Sequence, residues 1–177
     1  MIRDTRESSD RRTAGGAPGA ADVVIRDACA SGDIDVARRL FEAYAASLDV
    51  DLCFQGFDAE LATLPGAYAP PRGRLYVGRV AGEAACCIAL RAHDTTTAEM
   101  KRLFVRPAFR GRGFGQRLAE AVIADARAIG YAAIVLDTLP DMASAQAMYV
   151  ALGFRDIAAY TFNPIEGTRY MRLDLRA

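Results

Sequence analysis

Three glycines and two arginines fall within six residues, Arg110-Gly-Arg-Gly-Phe-Gly115, and their types and spacing suit the binding of an anion. Glycine lets a backbone approach a ligand with no Cβ in the way, and arginine adds a delocalised charge matched to phosphate. The stretch joins two kinds of element. Leu103, Phe104 and Val105 form an apolar run with strand propensity, and Pro107 ends it because proline has no N–H for a ladder. From Gln116 the pattern turns helical, with Leu118, Val122, Ala126 and Ile129 at helical spacing and Gly130 as a stop. A strand feeding a glycine-rich turn into a helix places unpaired helix N–H groups, and the positive end of the helix dipole, beside the turn. The expected ligand is therefore a phosphate or pyrophosphate, with Arg110, Gly111, Arg112, Gly113, Phe114, Gly115 and Gln116 around it.

Two familiar phosphate loops do not fit. A Walker loop requires Gly-Lys-Ser/Thr, which the chain lacks, and a dinucleotide fingerprint requires Gly-x-Gly-x-x-Gly, whereas Gly111, Gly113 and Gly115 read Gly-x-Gly-x-Gly. What remains is Arg-x-x-Gly-x-Gly, spelled by Arg110, Gly113 and Gly115. The plainer alternative is a β-to-α turn with solvated arginines.

Composition sets the bounds. At 177 residues the chain allows one domain with a sizeable core. Lys+Arg 22 against Asp+Glu 22 leaves no net charge, which argues against bulk binding to nucleic acid or an acidic membrane. The four cysteines, Cys29, Cys53, Cys86 and Cys87, show no C-x-x-C spacing, and the single His93 cannot complete a zinc set, so no metal is expected. Adjacent Cys86 and Cys87 on a strand read as small core residues in a reducing, cytoplasmic setting. There is no apolar run long enough to span a membrane and no secretory signal. His93 itself, in a polar loop, reads as a solvated surface residue rather than a base.

The supporting elements follow in order. Residues 1–21 hold almost no large apolar side chain and read as a disordered tail or, alternatively, a targeting or regulatory arm; the domain then occupies 22–177. Val23–Asp27 is a short strand. Ser31 is expected to cap a helix carrying Ile34, Ala37, Leu40, Phe41, Tyr44 and Leu48 on one face. A shorter helix covers Phe57 to Leu64. The proline-rich stretch Leu64 to Gly73, carrying Tyr68, is either the wall of a substrate cleft or a connector. A hairpin runs over Leu75–Val80 and Glu83–Leu90. After the central helix, Ala132 to Asp137 reads as a strand buried on both faces. Asp141 is expected to cap a helix over Met142–Leu152. Phe154–Phe162 and Arg169–Leu175 read as alternating strands around an Asn163-Pro-Ile-Glu-Gly turn. The order β-α-α-β-β-β-α-β-α-β-β implies a mixed sheet with helices on both faces.

The strand entering Arg-x-x-Gly-x-Gly resembles the acetyl-CoA-binding motif of the GCN5-related N-acetyltransferase (GNAT) superfamily. A second motif matches in the right order: Ala145-Gln-Ala-Met-Tyr149-Val-Ala-Leu-Gly-Phe154 is similar to the superfamily's Ala-x-x-Leu-Tyr-x-x-x-Gly-Phe. The resemblance covers about Val23 to Leu175. It implies an α/β (α+β) fold with a mixed, mostly antiparallel sheet of about seven strands flanked by helices. It also implies transfer of an acetyl group from acetyl-CoA to the primary amine of a small molecule, amino acid or peptide. Pantetheine would pair with the backbone of Leu103, Phe104 and Val105, and an N–H near Phe104 would receive the oxyanion. Tyr149 matches the superfamily's general acid, against the alternative of a core tyrosine stapling helix to sheet. Glu99 stands where histone-type members carry a base, against the alternative of a carboxylate paired with Lys101 or Arg102. Tyr68, Tyr160, Phe162 and Asn163 occupy segments that border the acceptor. Met142 departs from the pattern, since members often carry an asparagine there on the pantetheine arm; Thr138, Asp141 or Ser144 would supply that contact. A homodimer is a common state in the superfamily. The rival from another class is a non-catalytic acyl-CoA sensor, which the glycine motif alone would also permit.

Overall fold

The sheet is built from strands whose alternate residues bury on opposite faces, so each face needs its own helical cover. The computed structural model describes residues 22–48, 50 and 52–176; the tail expected over 1–21 lies outside them. The strands are β1 (Val23–Asp27), β2 (Arg74–Val80), β3 (Glu83–Ala92), β4 (Thr97–Val105), β5 (Ala133–Thr138), β6 (Arg155–Asp156) and β7 (Arg169–Asp174). The helices are α1 (Ala28–Ser31), α2 (Ile34–Ala46), α3 (Phe57–Thr63), α4 (Phe114–Ile129) and α5 (Ala143–Ala151). The seven strands lie in the order β1-β2-β3-β4-β5-β7-β6, and every pairing is antiparallel except β4 with β5. This is the mixed, mostly antiparallel α/β sheet that the sequence implies. No helix of the described residues is long and apolar enough to cross a membrane.

Leu118, Val122 and Ala126 of α4 pack against Ala98, Met100, Ile134 and Leu136 on one face. Ala37, Leu40 and Phe41 of α2 pack with Leu75, Val77, Ala89 and Phe104 on the other. Ala98 and Met100 thus assign Glu99 and Lys101, by alternation, to the α2 face.

Two irregularities shape the centre. The parallel pairing of β4 and β5 extends only over Thr97–Ala133, Ala98–Ile134 and Glu99–Val135, after which the strands part and leave a fork. Within β4, Cys87 pairs with Phe104 and Ala89 with Lys101, so Ile88 opposes both Arg102 and Leu103. That is a β-bulge, and Arg102 sits in it at φ +59°, a left-handed conformation uncommon for a residue with a Cβ.

Several boundaries differ from the sequence expectations. An extra single turn, α1, precedes the helix that Ser31 was expected to cap, and Asp27 caps it: its Oδ1 accepts from the N–H groups of Cys29 and Ala30 at 2.8 and 3.3 Å. Ser31 closes that single turn, and Asp33 before α2 caps nothing because its carboxylate accepts from Arg79 at 2.8 Å. The central helix begins at Phe114, two residues early, directly from a left-handed Gly113. Met142 rather than Asp141 stands at the start of α5, without a side-chain cap. The alternation over Phe154–Phe162 yields only the two-residue β6. Beyond the bond from the Ile157 N–H to the Tyr170 carbonyl (2.9 Å) the chain leaves the sheet edge, and Tyr160 and Asn163 turn inward to carboxylates.

Candidate active site

The glycine turn is the floor of a cleft of about 670 Å³ that runs from the fork between β4 and β5 to the start of α4. Its size suits a cofactor or ligand of drug-like dimensions. Leu103, Phe104, Val105, Arg110, Gly111, Gly113, Phe114, Gly115 and Gln116 all line it, joined by Ser47 and Leu48 from the end of α2 and by Asp141–Ala145 and Met148 from α5 and its approach. The first intrahelical bond of α4 runs from the Arg117 N–H to the Gly113 carbonyl at 3.2 Å. The N–H groups of Phe114, Gly115 and Gln116 precede that bond, so the helix itself gives them no acceptor. Gly111 and Gly113 are left-handed (φ +74° and +75°), and a Cβ at either would meet no heavy atom within 4 Å. Side chains at these two positions would stand in open space.

The two arginines are placed differently. Arg110 lines the cleft, and its Nε donates to the Val105 carbonyl at 3.1 Å. Arg112 lies with its guanidinium 4.7 Å above the Phe114 ring, and it does not line the cleft. Gln116 donates along the helix to Glu120 at 2.8 Å.

A second cavity, about 50 Å³, opens at the fork itself. Leu103, Met142 and Ala145 line both cavities, so the two adjoin. Tyr149 reaches the small cavity from the α4 face, where its ring packs on Phe154 at 5.6 Å. Lys101, Asp137, Tyr44 and Gln55 line it as well. Burial raises the Tyr149 phenol above its ordinary range and so keeps it protonated. Thr138 lines the small cavity and Asp141 and Ser144 the large one, while Met142 reaches both.

Glu99 stands apart from both cavities. It is 2% exposed, and both of its oxygens are occupied. Oε2 accepts from Arg91 at 2.6 and 2.7 Å; Oε1 accepts from the Tyr160 hydroxyl at 3.0 Å and faces the Lys101 ammonium at 3.4 Å. Burial pushes its carboxyl upward, but Lys101, Arg91 and Tyr160 outweigh it, and the group lies below the ordinary carboxylate value. Arg102, expected as a possible partner, goes elsewhere. Its guanidinium forks onto Glu60 at 2.6 and 2.9 Å, takes Gln55 at 2.9 Å and lies over the Phe57 ring at 5.1 Å.

The expected acceptor-site residues divide. Tyr68 is 2% exposed, packs edge-on against Phe41 and donates to Glu60 at 2.9 Å, so it belongs to the core under the bulge and lines neither cavity. Asn163 donates to Asp137 at 3.0 Å. Phe162 is 77% exposed on the segment between β6 and β7. Tyr160 stacks edge-on with His93 at 5.1 Å, and His93 is exposed, as expected of a residue in a polar loop. Asp137 was not singled out in the sequence, and its signal was its place at the end of a strand that must part from its neighbour.

Comparisons with known proteins agree with this geometry. The profile of the acetyltransferase (GNAT) family matches residues 38–154. An uncharacterized N-acetyltransferase of Schizosaccharomyces pombe is 37% identical over 145 residues, covering 81% of this chain and 89% of that protein. The N-acetylaspartate synthetase of Homo sapiens is 34% identical over 91 residues, which cover 51% of this chain and 30% of that one. An acetyltransferase of Salmonella typhimurium, solved with its cofactor acetyl-CoA, superposes with a TM-score of 0.69 at 19% identity, covering 89% of this chain and 96% of that one. A GNAT-family acetyltransferase of Staphylococcus aureus superposes at 0.73 with 20% identity, covering 88% and 100%. This chain belongs to the acetyltransferase (GNAT) family, and it is an acetyl-CoA-dependent acyltransferase.

Proposed function

We propose that the protein moves the acetyl group of acetyl-CoA to the primary amine of a small molecule, an amino acid or a peptide terminus. The observation that carries this reading is the fork: the strands part where a glycine-floored cleft meets a small polar cavity, so one ligand can reach a second across the gap. The residues present fit coenzyme A. The N–H groups of Phe114, Gly115 and Gln116, to which the helix offers no acceptor, would hold the diphosphate beside glycines 111 and 113, with Arg110 at the rim and Arg112 adding charge nearby. The backbone of Leu103, Phe104 and Val105 would guide the pantetheine arm into the fork, with Asp141 or Ser144 supplying the polar contact that Met142 cannot.

When bound, acetyl-CoA supplies a thioester whose carbonyl carbon is open to attack by a neutral amine. The N–H near Phe104 would stabilise the negative charge that develops on the carbonyl oxygen. Tyr149, kept protonated by burial, would deliver a proton to the departing sulfur. Glu99, the base expected from its position, is held by Arg91, Tyr160 and Lys101, and a carboxylate so strongly stabilised is a poor proton acceptor. Its part in this reading is to orient Lys101 and Tyr160.

Two relatives carry a small molecule in their names: N-acetylaspartate synthetase, named for its acetylated product, and, from Azospirillum brasilense, IAA acetyltransferase, which is 40% identical over 90 residues. Both point to small molecules rather than proteins. The test is thiol release from acetyl-CoA across a panel of amines headed by amino acids. Acetylation of at least one, at a rate saturating in both partners, is expected; binding of acetyl-CoA with no turnover on any amine would contradict the reading.

A further inference from the structure

We infer that Asp137 is the group that receives the acceptor: its carboxylate binds the incoming ammonium and takes a proton from it, in the small cavity it shares with Tyr149. The inference deepens the acetyltransfer reading above and rests on it.

Placement comes first. Asp137 lies on β5 two residues beyond Val135, where pairing with β4 ends, so it stands at the mouth of the fork. It lines the cavity of about 50 Å³ together with Tyr149, and that cavity adjoins the large cleft through Leu103. By pairing and alternation Asp137 belongs to the α2 face, whereas Tyr149 packs with the α4 face. A proton acceptor and a proton donor therefore approach one gap from opposite sides of the sheet.

The carboxylate is also held without being saturated. Oδ2 accepts one hydrogen bond, from Asn163 at 3.0 Å. Oδ1 makes no hydrogen bond among the described residues; its neighbour is the Lys101 ammonium at 3.6 Å. An ionised carboxylate has about four lone-pair sites, so acceptor capacity remains on the atom nearest the cavity's cation. Glu99 offers the contrast, with both oxygens engaged and no access to either cavity. The neighbouring cations are otherwise committed: Arg91 to Glu99, Arg102 to Glu60, and Lys101 shared between Glu99 at 3.4 Å and Asp137. An arriving ammonium competes only with Lys101's longer contact, and Lys101 keeps Glu99 as its partner.

The step balances as follows. The ammonium gives one proton to Asp137, which passes it to solvent. The nitrogen lone pair forms the C–N bond to the acetyl carbon, and the C–S bond breaks with its electron pair on sulfur. Tyr149 protonates that sulfur, and the second proton shed by nitrogen restores the phenol. One ammonium and one thioester give one acetamide, one thiol and one proton.

The experiment compares two acceptors that differ in whether a proton must be removed first. One is the best alkylamine or amino acid of the panel, an ammonium at neutral pH; the other is hydroxylamine, neutral there. Thiol release is measured after subtraction of the uncatalysed rate, and acetyl-CoA affinity is measured by calorimetry. Asp137→Asn keeps an oxygen for Asn163. It is expected to lower kcat/KM for the ammonium acceptor about 10²-fold and for hydroxylamine less than about fivefold. Asp137→Glu, which returns a carboxylate, should restore part of the ammonium rate, and both variants should bind acetyl-CoA within about twofold of the parent. Equal loss for both acceptors, loss for neither, or loss of acetyl-CoA affinity would each overturn the assignment of Asp137. A parent enzyme that binds acetyl-CoA yet acylates neither amine would instead overturn the acetyltransfer reading, and this inference with it.

Discussion

The two ends of the candidate site are made of different material. The end proposed for the diphosphate, residues 110–116, is backbone: left-handed glycines and the first N–H groups of α4 beside an open cleft. The end proposed for the acceptor is side chain: Lys101 and Asp137 at the small cavity, held by Arg91, Glu99, Tyr160 and Asn163 from neighbouring strands and a loop, with Glu60 and Arg102 tied beneath the bulge. A backbone site is encoded in one continuous stretch, since the same few residues set the turn and present the donors. A side-chain site exists only after distant segments meet, and there each charge must find its opposite or bear the cost of burial. The first end should therefore fail by losing its ligand with the fold intact, and the second by losing stability along with rate.

The largest effect on that contrast should come from Arg102→Met. It leaves Glu60 buried beside Tyr68 and without its guanidinium, and loss of one partner of a buried pair costs about 3–5 kcal/mol. Urea unfolding is expected to show that loss as a lower midpoint; a change under about 1 kcal/mol would mean the pair contributes no more than a surface bridge. The bulge explains the size of the effect. Arg102 is held in a left-handed conformation that costs about 1–3 kcal/mol, which its grip on Glu60 and Gln55 helps to offset.

Next is Tyr149→Phe. If the phenol supplies the sulfur's proton, kcat should fall about 10²-fold while acetyl-CoA affinity stays within about threefold. Steady-state kinetics beside calorimetry separates the two; a loss of affinity with kcat unchanged would return Tyr149 to a purely packing role.

The smallest effect is graded with pH. In Glu99 and Glu60 burial acts upward, but their cationic and hydrogen-bond partners hold both carboxyls below the usual 4.5. Such groups contribute stability that is fully present above the unfolded value and lost as pH falls through the lower folded value, because the unfolded chain takes up protons first. Unfolding free energy should thus be flat above that value and decline below about pH 4.5. Arg102→Met should decline less steeply, since its Glu60 has already lost the pairing. Stability that rose on acidification would contradict the assignment of these carboxylates as paired.

This contrast also explains what was legible in the sequence. The turn at Arg110–Gly115, the strand before it, the helix after it and the hairpin over 74–92 follow from local patterns and stand close to where those patterns place them. The pairing of Glu99 followed only in part. Of its sequence neighbours Lys101 does face it at 3.4 Å, but cross-strand register also sets Arg91 directly opposite, and the bulge turns Arg102 toward Glu60. Tyr68 read as a cleft residue because its proline-rich stretch resembled a surface loop, while its ring in fact fills the core against Phe41. The alternation over Phe154–Phe162 suggested a strand, but Tyr160 and the following Asn163 are engaged by the buried carboxylates, a demand invisible in local periodicity.

The claim on which the rest stands is that the amides from Gly111 to Gln116 cradle the diphosphate of coenzyme A. Calorimetric titration of Gly113→Asp with acetyl-CoA tests it most directly, because Gly113 lines the cleft and a carboxylate there would set negative charge beside the proposed diphosphate site without a clash with the fold. The account predicts a loss of affinity of at least about 100-fold, with the thermal transition lowered only by the roughly 1 kcal/mol that a left-handed non-glycine residue costs. Affinity equal to that of the parent protein would contradict it.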